Sequence, residues 1–147
     1  FSKAWGLAAL RVGYSISSPA IADILNRVRQ PFNVDTVALA AATAVLEDEA
    51  YLQKSREVNE AGLQQLAEGF DRMGLSYIPS AGNFIAVEVG EPAAGIYQAL
   101  LAHGVIVRPV AGYGMPRHLR VSVGLPQENE RFLDALAEAL ASAGLGA

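Results

Sequence analysis

Residues 84–89 read Phe84-Ile85-Ala86-Val87-Glu88-Val89, an alternating run rich in strand-forming residues, and it predicts a strand. Upstream, the turn residues Pro79-Ser80-Ala81-Gly82 separate it from a short strand candidate at Leu75–Ile78. Downstream, Pro92–Ala102 reads as a helix closed by His103-Gly104, and Val105–Arg108 as a buried strand stopped by Pro109. A glycine-rich loop at Ala111–Pro116 leads to a strand at Leu119–Val123. Pro126 then opens a last helix whose stripe is Phe132, Leu133, Leu136 and Leu140, fraying into Ser142–Ala147. The order β-α-β-loop-β-α predicts an α+β layer, with helices covering a small sheet.

The first half is different in kind. Leu10–Ile16 carries part of a period-two pattern, Leu10, Val12, Tyr14 and Ile16, and reads as a strand. Ser18 and Pro19 then start a helix with the stripe Ile21, Ile24, Leu25 and Val28, ended by Pro31. An alanine-rich run from Asp35 continues through Glu47, Asp48 and Glu49 into a helical pattern at Tyr51–Met73, with Gly74 placed to close it. This is either two helices or one long bent one. The boundary between two structural units is expected within residues 34–74.

Composition narrows the chemistry. The 147 residues hold 52% hydrophobic and only 18% charged side chains, with net charge −4 and pI ≈ 5.1. A mildly acidic chain without a basic tract argues against nucleic-acid or anionic-membrane binding. With Cys 0, disulfides, thiolate catalysis and cysteine-held zinc are excluded; two histidines are too few for most His-based metal sites, so no metal is expected. The most apolar run, Val37–Leu46, is far shorter than the roughly 20 residues that span a bilayer. A soluble, cytoplasmic protein is expected. The mean hydropathy, +0.25, implies surface that a partner subunit or further chain covers. Phe1 is no start methionine and the apolar run begins at once, so a fragment of a longer chain is expected.

The charges are unevenly spread. Between Glu91 and Glu128 there is no acid, yet Arg108, Arg117 and Arg120 stand there with His103 and His118. Arg108 and Arg120 belong to the apolar patterns VIVRP and LRVSVG. A buried arginine is costly unless paired, and its planar fork suits carboxylate or phosphate. Each either pairs with a carboxylate elsewhere, snorkels out at a strand end, or meets an external anion. Residues 1–34 repeat the excess, with Lys3, Arg11, Arg27 and Arg29 against Asp23 alone. Lysine can form a Schiff base with a carbonyl, and Ser with Arg can cradle a phosphate. A lone lysine near a terminus is otherwise a solvated one. Residue patterns by themselves stop at two anion-binding arginine clusters.

The motif Ser2-Lys3-Ala4-x-Gly6-Leu7-Ala8-x-Leu10-Arg11-Val12-Gly13-Tyr14 resembles the lysine motif of the class I/II, fold-type-I pyridoxal-phosphate-dependent aminotransferases, and more narrowly of the histidinol-phosphate aminotransferases. The resemblance continues in order through Pro31–Val34, Gly82-Asn83-Phe84, Gly104–Pro109, Tyr113-Gly114, Leu119–Gly124 and Glu128-Asn129. Trp5 keeps an aromatic where the family often has Tyr or Phe.

The resemblance implies an α/β fold of type I, of which residues 1–34 would be the last part of the large cofactor-binding domain, 35–74 linking helices, and 75–147 the small α+β domain. It implies that Lys3 binds pyridoxal 5'-phosphate covalently and moves the substrate proton. Arg11 and Ser2 would hold the cofactor phosphate. Arg120 would grip the substrate carboxylate or phosphate, Arg108 would be a second phosphate arginine, and Asn83 would lie in the substrate-side loop. The implied activity is transamination between histidinol phosphate and 2-oxoglutarate in histidine biosynthesis, by a homodimer acting on small molecules. The family's pyridine-nitrogen aspartate, ring-stacking aromatic and phosphate loop are not in these residues, so the fragment alone is expected to be inactive. The alternatives are another aminotransferase, a phosphothreonine-decarboxylase-like enzyme, or a non-enzymatic anion-binding or dimerisation module.

Overall fold

Prolines, glycines and capping acids set the element boundaries. A computed structural model describes residues 1–91 and 93–144, which fall into two units, Phe1–Arg56 and Glu57–Ala147.

In the first unit, α1 (Pro19–Val28) begins with proline at its first position, where the missing N–H is no loss. The Asp35 carboxylate accepts from the Ala38 N–H at 2.8 Å and so caps α2 (Thr36–Val45). Residues 46–48 interrupt the helix. Asp48 Oδ1 then accepts from the Tyr51 N–H at 2.9 Å at the start of α3 (Glu49–Arg72). The acidic bend therefore separates two helices. A small core of Val12, Ala38 and Ala42 forms with Phe1, Leu10 and Val34 packed on it.

One expectation changes here. Leu10–Ile16 is no strand: Ala8–Leu10 is a 3-10 turn, Arg11 closes it in the left-handed region at φ 51, and the residues beyond are irregular. A strand needs a neighbour to pair its ladder, and this unit has none among the described residues. The α1 stripe exists, but Ile21, Ile24, Leu25 and Val28 all lie exposed.

In the second unit, β1 (Tyr77–Ile78), β2 (Phe84–Glu88), β3 (Arg108–Pro109) and β4 (His118–Ser122) form an antiparallel sheet in the order β1-β2-β4-β3. Because side chains alternate, Ile85 and Val87 of β2 and Leu119 and Val121 of β4 share one face. That face packs on Leu66 and Phe70 of α3, Ile96 and Leu100 of α4 (Ala93–Ala102), and Phe132 and Leu136 of α5 (Pro126–Ser142). Each such side chain contributes about 1.5–3 kcal/mol on burial. Gly62 and Gly69, two turns apart on α3, allow close approach: a Cβ at Gly62 would strike the Val123 side chain, and one at Gly69 that of Leu133.

The strand expected at Val105–Arg108 is two residues, Arg108–Pro109, and lies at the sheet edge rather than in the interior. Proline has no N–H to donate to a ladder, which confines it to an edge; Ile106 is 82% exposed. Pro92, the expected start of α4, and residues 145–147 of the tail lie outside the described residues.

The turn from β4 into α5 is tied by side chains. Glu128 accepts from the Leu125 N–H at 2.7 Å. Asn129, 2% exposed, accepts from the Gly124 N–H at 2.9 Å and donates to Gln65 Oε1 at 3.0 Å and to the Gly124 carbonyl at 3.3 Å.

Candidate functional site

The sheet register decides what stands on its outer face. Ile78 pairs with Ala86, Ala86 with Arg120, and Arg120 with Arg108, so one row crosses all four strands and ends in two arginines. Like charges directly opposite each other destabilise a sheet. Here no acid relieves them, since neither guanidinium has a carboxylate partner among the described residues. Other cations do meet acids: Arg117 lies 3.0 Å from Glu88, Arg27 3.4 Å from Asp23, and His103 3.5 Å from Glu138.

What supports the two arginines is aromatic. The Arg120 guanidinium carbon sits 4.8 Å from the centroid of the Phe84 ring. Its Nε is buried without a hydrogen-bond partner. Arg108 lies 5.8 Å from the Tyr113 ring centroid and donates through Nη2 to the Tyr113 hydroxyl at 3.1 Å. Asn83, exposed, immediately precedes β2, and its carbonyl accepts from the Val123 N–H at 3.0 Å, tying its loop to the end of β4. Asn59 holds the same loop by donating to the Gly82 carbonyl at 3.0 Å.

Ser2, Lys3 and Arg11 lie in the first unit, on two successive turns. The Gly6 N–H donates to the Lys3 carbonyl and the Leu7 N–H to that of Phe1, both at 3.0 Å. Gly6 takes φ +68, and a Cβ there would lie 3.1 Å from the Tyr51 hydroxyl. The turn leaves Lys3 exposed, its side chain with no hydrogen-bond or ion-pair partner among the described residues. Arg11 donates through Nη1 to the Ala8 carbonyl at 2.7 Å. That bond uses one of five guanidinium N–H groups and steadies the rest.

Arg108, Arg120 and Asn83 belong to the second unit, and there the fold brings the two arginines side by side. Sequence reading singled out both arginines but not the aromatic groups beneath them. Phe84 reads as an ordinary strand residue and Tyr113 as a loop residue; the pairing of β2 with β4 places Phe84 against Arg120, and the 3-10 turn Ala111–Tyr113 brings Tyr113 onto Arg108. Among the described residues, no group of three or more His, Asp or Glu could hold a metal, and no helix is long and apolar enough to cross a membrane.

A family model described as aminotransferase class I and II matches residues 1–136. The chain belongs to this family. Within the aminotransferases, it is 67% identical over 143 residues to the histidinol-phosphate aminotransferase 2 of Pseudomonas fluorescens strain Pf-5, covering 97% of this chain and 39% of that protein. It is 62% identical over 139 residues to the same-named protein of Pasteurella multocida, covering 95% of this chain and 38% of that one. The chain thus spans less than two fifths of the length of these relatives. A solved histidinol-phosphate aminotransferase from Sinorhizobium meliloti, in complex with pyridoxal-5'-phosphate, superposes with TM-score 0.87 at 34% identity, over 97% of this chain and 40% of that one. The architecture is accordingly that of the corresponding part of a fold-type-I aminotransferase, with an open sheet. L-threonine-O-3-phosphate decarboxylase from Porphyromonas gingivalis shares the fold, with TM-score 0.82 at 20% identity over 96% of this chain and 45% of that one. The fold alone does not choose the reaction.

Proposed function

We propose that this chain supplies the cofactor lysine and the anion-binding arginines of a pyridoxal-phosphate-dependent aminotransferase that moves an amino group between histidinol phosphate and 2-oxoglutarate. The observation that carries the reading is the pair Arg108–Arg120, placed opposite each other with no acidic partner among the described residues. Such a pair is stabilised by an incoming anion, and a phosphate dianion has the charge and the acceptor oxygens to meet both. The relatives' names and the cofactor of the Sinorhizobium enzyme support the same choice.

The donor set of the first unit fits the cofactor. A hydroxyl, an amine and a guanidinium stand within residues 2–11, the Lys3 amine is without a competing partner among the described residues, and no acid precedes Asp23 in the sequence. Ser2 and Arg11 would hold the phosphate group by charge-assisted hydrogen bonds, and Lys3 Nζ would hold the ring end covalently. When bound, pyridoxal phosphate supplies the electron sink for a proton leaving the substrate α-carbon. Lys3 Nζ is the base that accepts that proton and returns it. Arg120 orients both substrates by their anionic group, Arg108 adds the contact that only a phosphate exploits fully, and Asn83 lines the substrate side of β2.

The same proposal takes residues 1–34 as part of the large domain, 35–74 as linking helices and 75–147 as the small domain. The exposed α1 stripe, with Tyr14, Ile16 and Phe32, is surface that a homodimer in the cytoplasm would cover with further chain. The test is kcat/KM of the intact enzyme on histidinol phosphate, phenylalanine and O-phosphothreonine. Preference for histidinol phosphate with an oxo-acid acceptor upholds the reading, whereas decarboxylation of O-phosphothreonine overturns it.

A further inference from the structure

We infer that Phe84 and Tyr113 are positioning residues that hold Arg120 and Arg108 in place for an anionic substrate without cancelling their charge. The inference rests on the proposed substrate site and adds to it the means by which its cations are kept ordered and available. Arg120 lies against the Phe84 ring and Arg108 against the ring and hydroxyl of Tyr113.

A guanidinium on a sheet surface needs support, because a free one loses rotamer entropy on binding. The usual support is a carboxylate, as Glu88 gives Arg117. A carboxylate would also neutralise the cation and compete with the substrate. An aromatic face attracts a cation through its quadrupole while carrying no net charge, so the pair stays doubly positive. The two supports also differ. Phe84 presents only a ring face and accepts none of the Arg120 N–H groups, and Nε lies buried without a hydrogen-bond partner among the described residues. Tyr113 adds a directional hydroxyl that takes one Nη2 hydrogen and so fixes the orientation of the Arg108 fork. Arg120 is therefore held for any anion, whereas Arg108 is oriented for the larger one. Both aromatic residues are partly solvent-exposed, at 39% for Phe84 and 67% for Tyr113, so neither is a core residue whose loss would unfold the sheet.

The test is steady-state kinetics of the intact enzyme with histidinol phosphate and glutamate, with inorganic phosphate as competitive inhibitor and Tm as a folding control. Phe84→Leu should raise KM for both substrates and the phosphate inhibition constant by about five- to thirtyfold, with kcat nearly unchanged, and Phe84→Tyr should restore them. Tyr113→Phe should raise KM for histidinol phosphate by about tenfold and leave that for glutamate nearly unchanged. If Phe84→Leu and Tyr113→Leu lower Tm but leave every KM unchanged, while Arg120→Ala raises both, the positioning role is wrong and the substrate site stands. If Arg108→Ala and Arg120→Ala also leave every KM unchanged, the site itself falls with it.

Discussion

Asn129→Ala should cost far more stability than its small size suggests. At 2% exposure the side chain is the one buried polar residue among those described, and its amide makes three hydrogen bonds that join α3, the β4–α5 turn and α5. Truncation strands the Gly124 N–H, for about 1–3 kcal/mol. It also removes the bond to Gln65 Oε1, for about 1 kcal/mol. Gln65 cannot simply turn its amide to compensate, because its Nε2 already donates to the Pro126 carbonyl at 3.0 Å. The expected loss is about 2–4 kcal/mol, read as a drop in the urea midpoint at unchanged slope. Asn129→Asp separates the contributions. It keeps an acceptor for the Gly124 N–H but sets a carboxylate oxygen against Gln65 Oε1 and the Gly124 carbonyl, so it should be no better than alanine. A loss below about 0.5 kcal/mol for Asn129→Ala would refute the reasoning, as would a fully stable Asn129→Asp. Because Gly124 follows β4 by two residues, the same variants should also loosen the strand that carries Arg120.

Four further outcomes follow from the same geometry. Lys3→Ala in the intact enzyme should abolish the absorbance of the covalently held cofactor and lower transamination by several orders of magnitude; near-normal turnover would rule Lys3 out. Arg11→Met should weaken pyridoxal-phosphate affinity by about ten- to a hundredfold, measured by equilibrium titration, and unchanged affinity would contradict its role. Arg120→Ala should lower kcat/KM for both substrates while Arg108→Ala lowers it mainly for histidinol phosphate; equal losses from Arg108→Ala would move the assignment toward a general aminotransferase. Gly69→Ala should destabilise the second unit by about 1–3 kcal/mol in denaturant unfolding, since its new methyl meets Leu133.

Much of the element list was readable from local pattern. Alternation at Phe84–Val89 and the stripe from Phe132 to Leu140 encode β2 and α5 because a strand repeats every two residues and a helix every 3.6, and each period is visible within a single segment. Punctuation was equally legible: Pro19 starts α1, and Gly74 follows α3 in the left-handed region. The lysine-to-arginine motif needed no fold at all, since its residues lie within one short stretch. Leu10–Ile16 misled for the converse reason. Its alternation is a strand-like pattern, but a strand exists only where another backbone accepts its hydrogen bonds, and local sequence does not report that partner.

What tertiary structure decided is pairing across distance. That Arg108 faces Arg120 depends on the register of β3 on β4, and a slip of one residue would have sent one arginine to the opposite face. The support of Arg120 by Phe84, 36 residues earlier in the chain, and the link from Asn129 to Gln65, 64 residues away, depend on how β2 meets β4 and α3 meets α5. The sequence by itself determined which residues could bind an anion, because charge and hydrogen-bonding capacity belong to the side chain. Only the fold determined that two of them stand side by side, because distance between residues far apart in the chain is a property of packing.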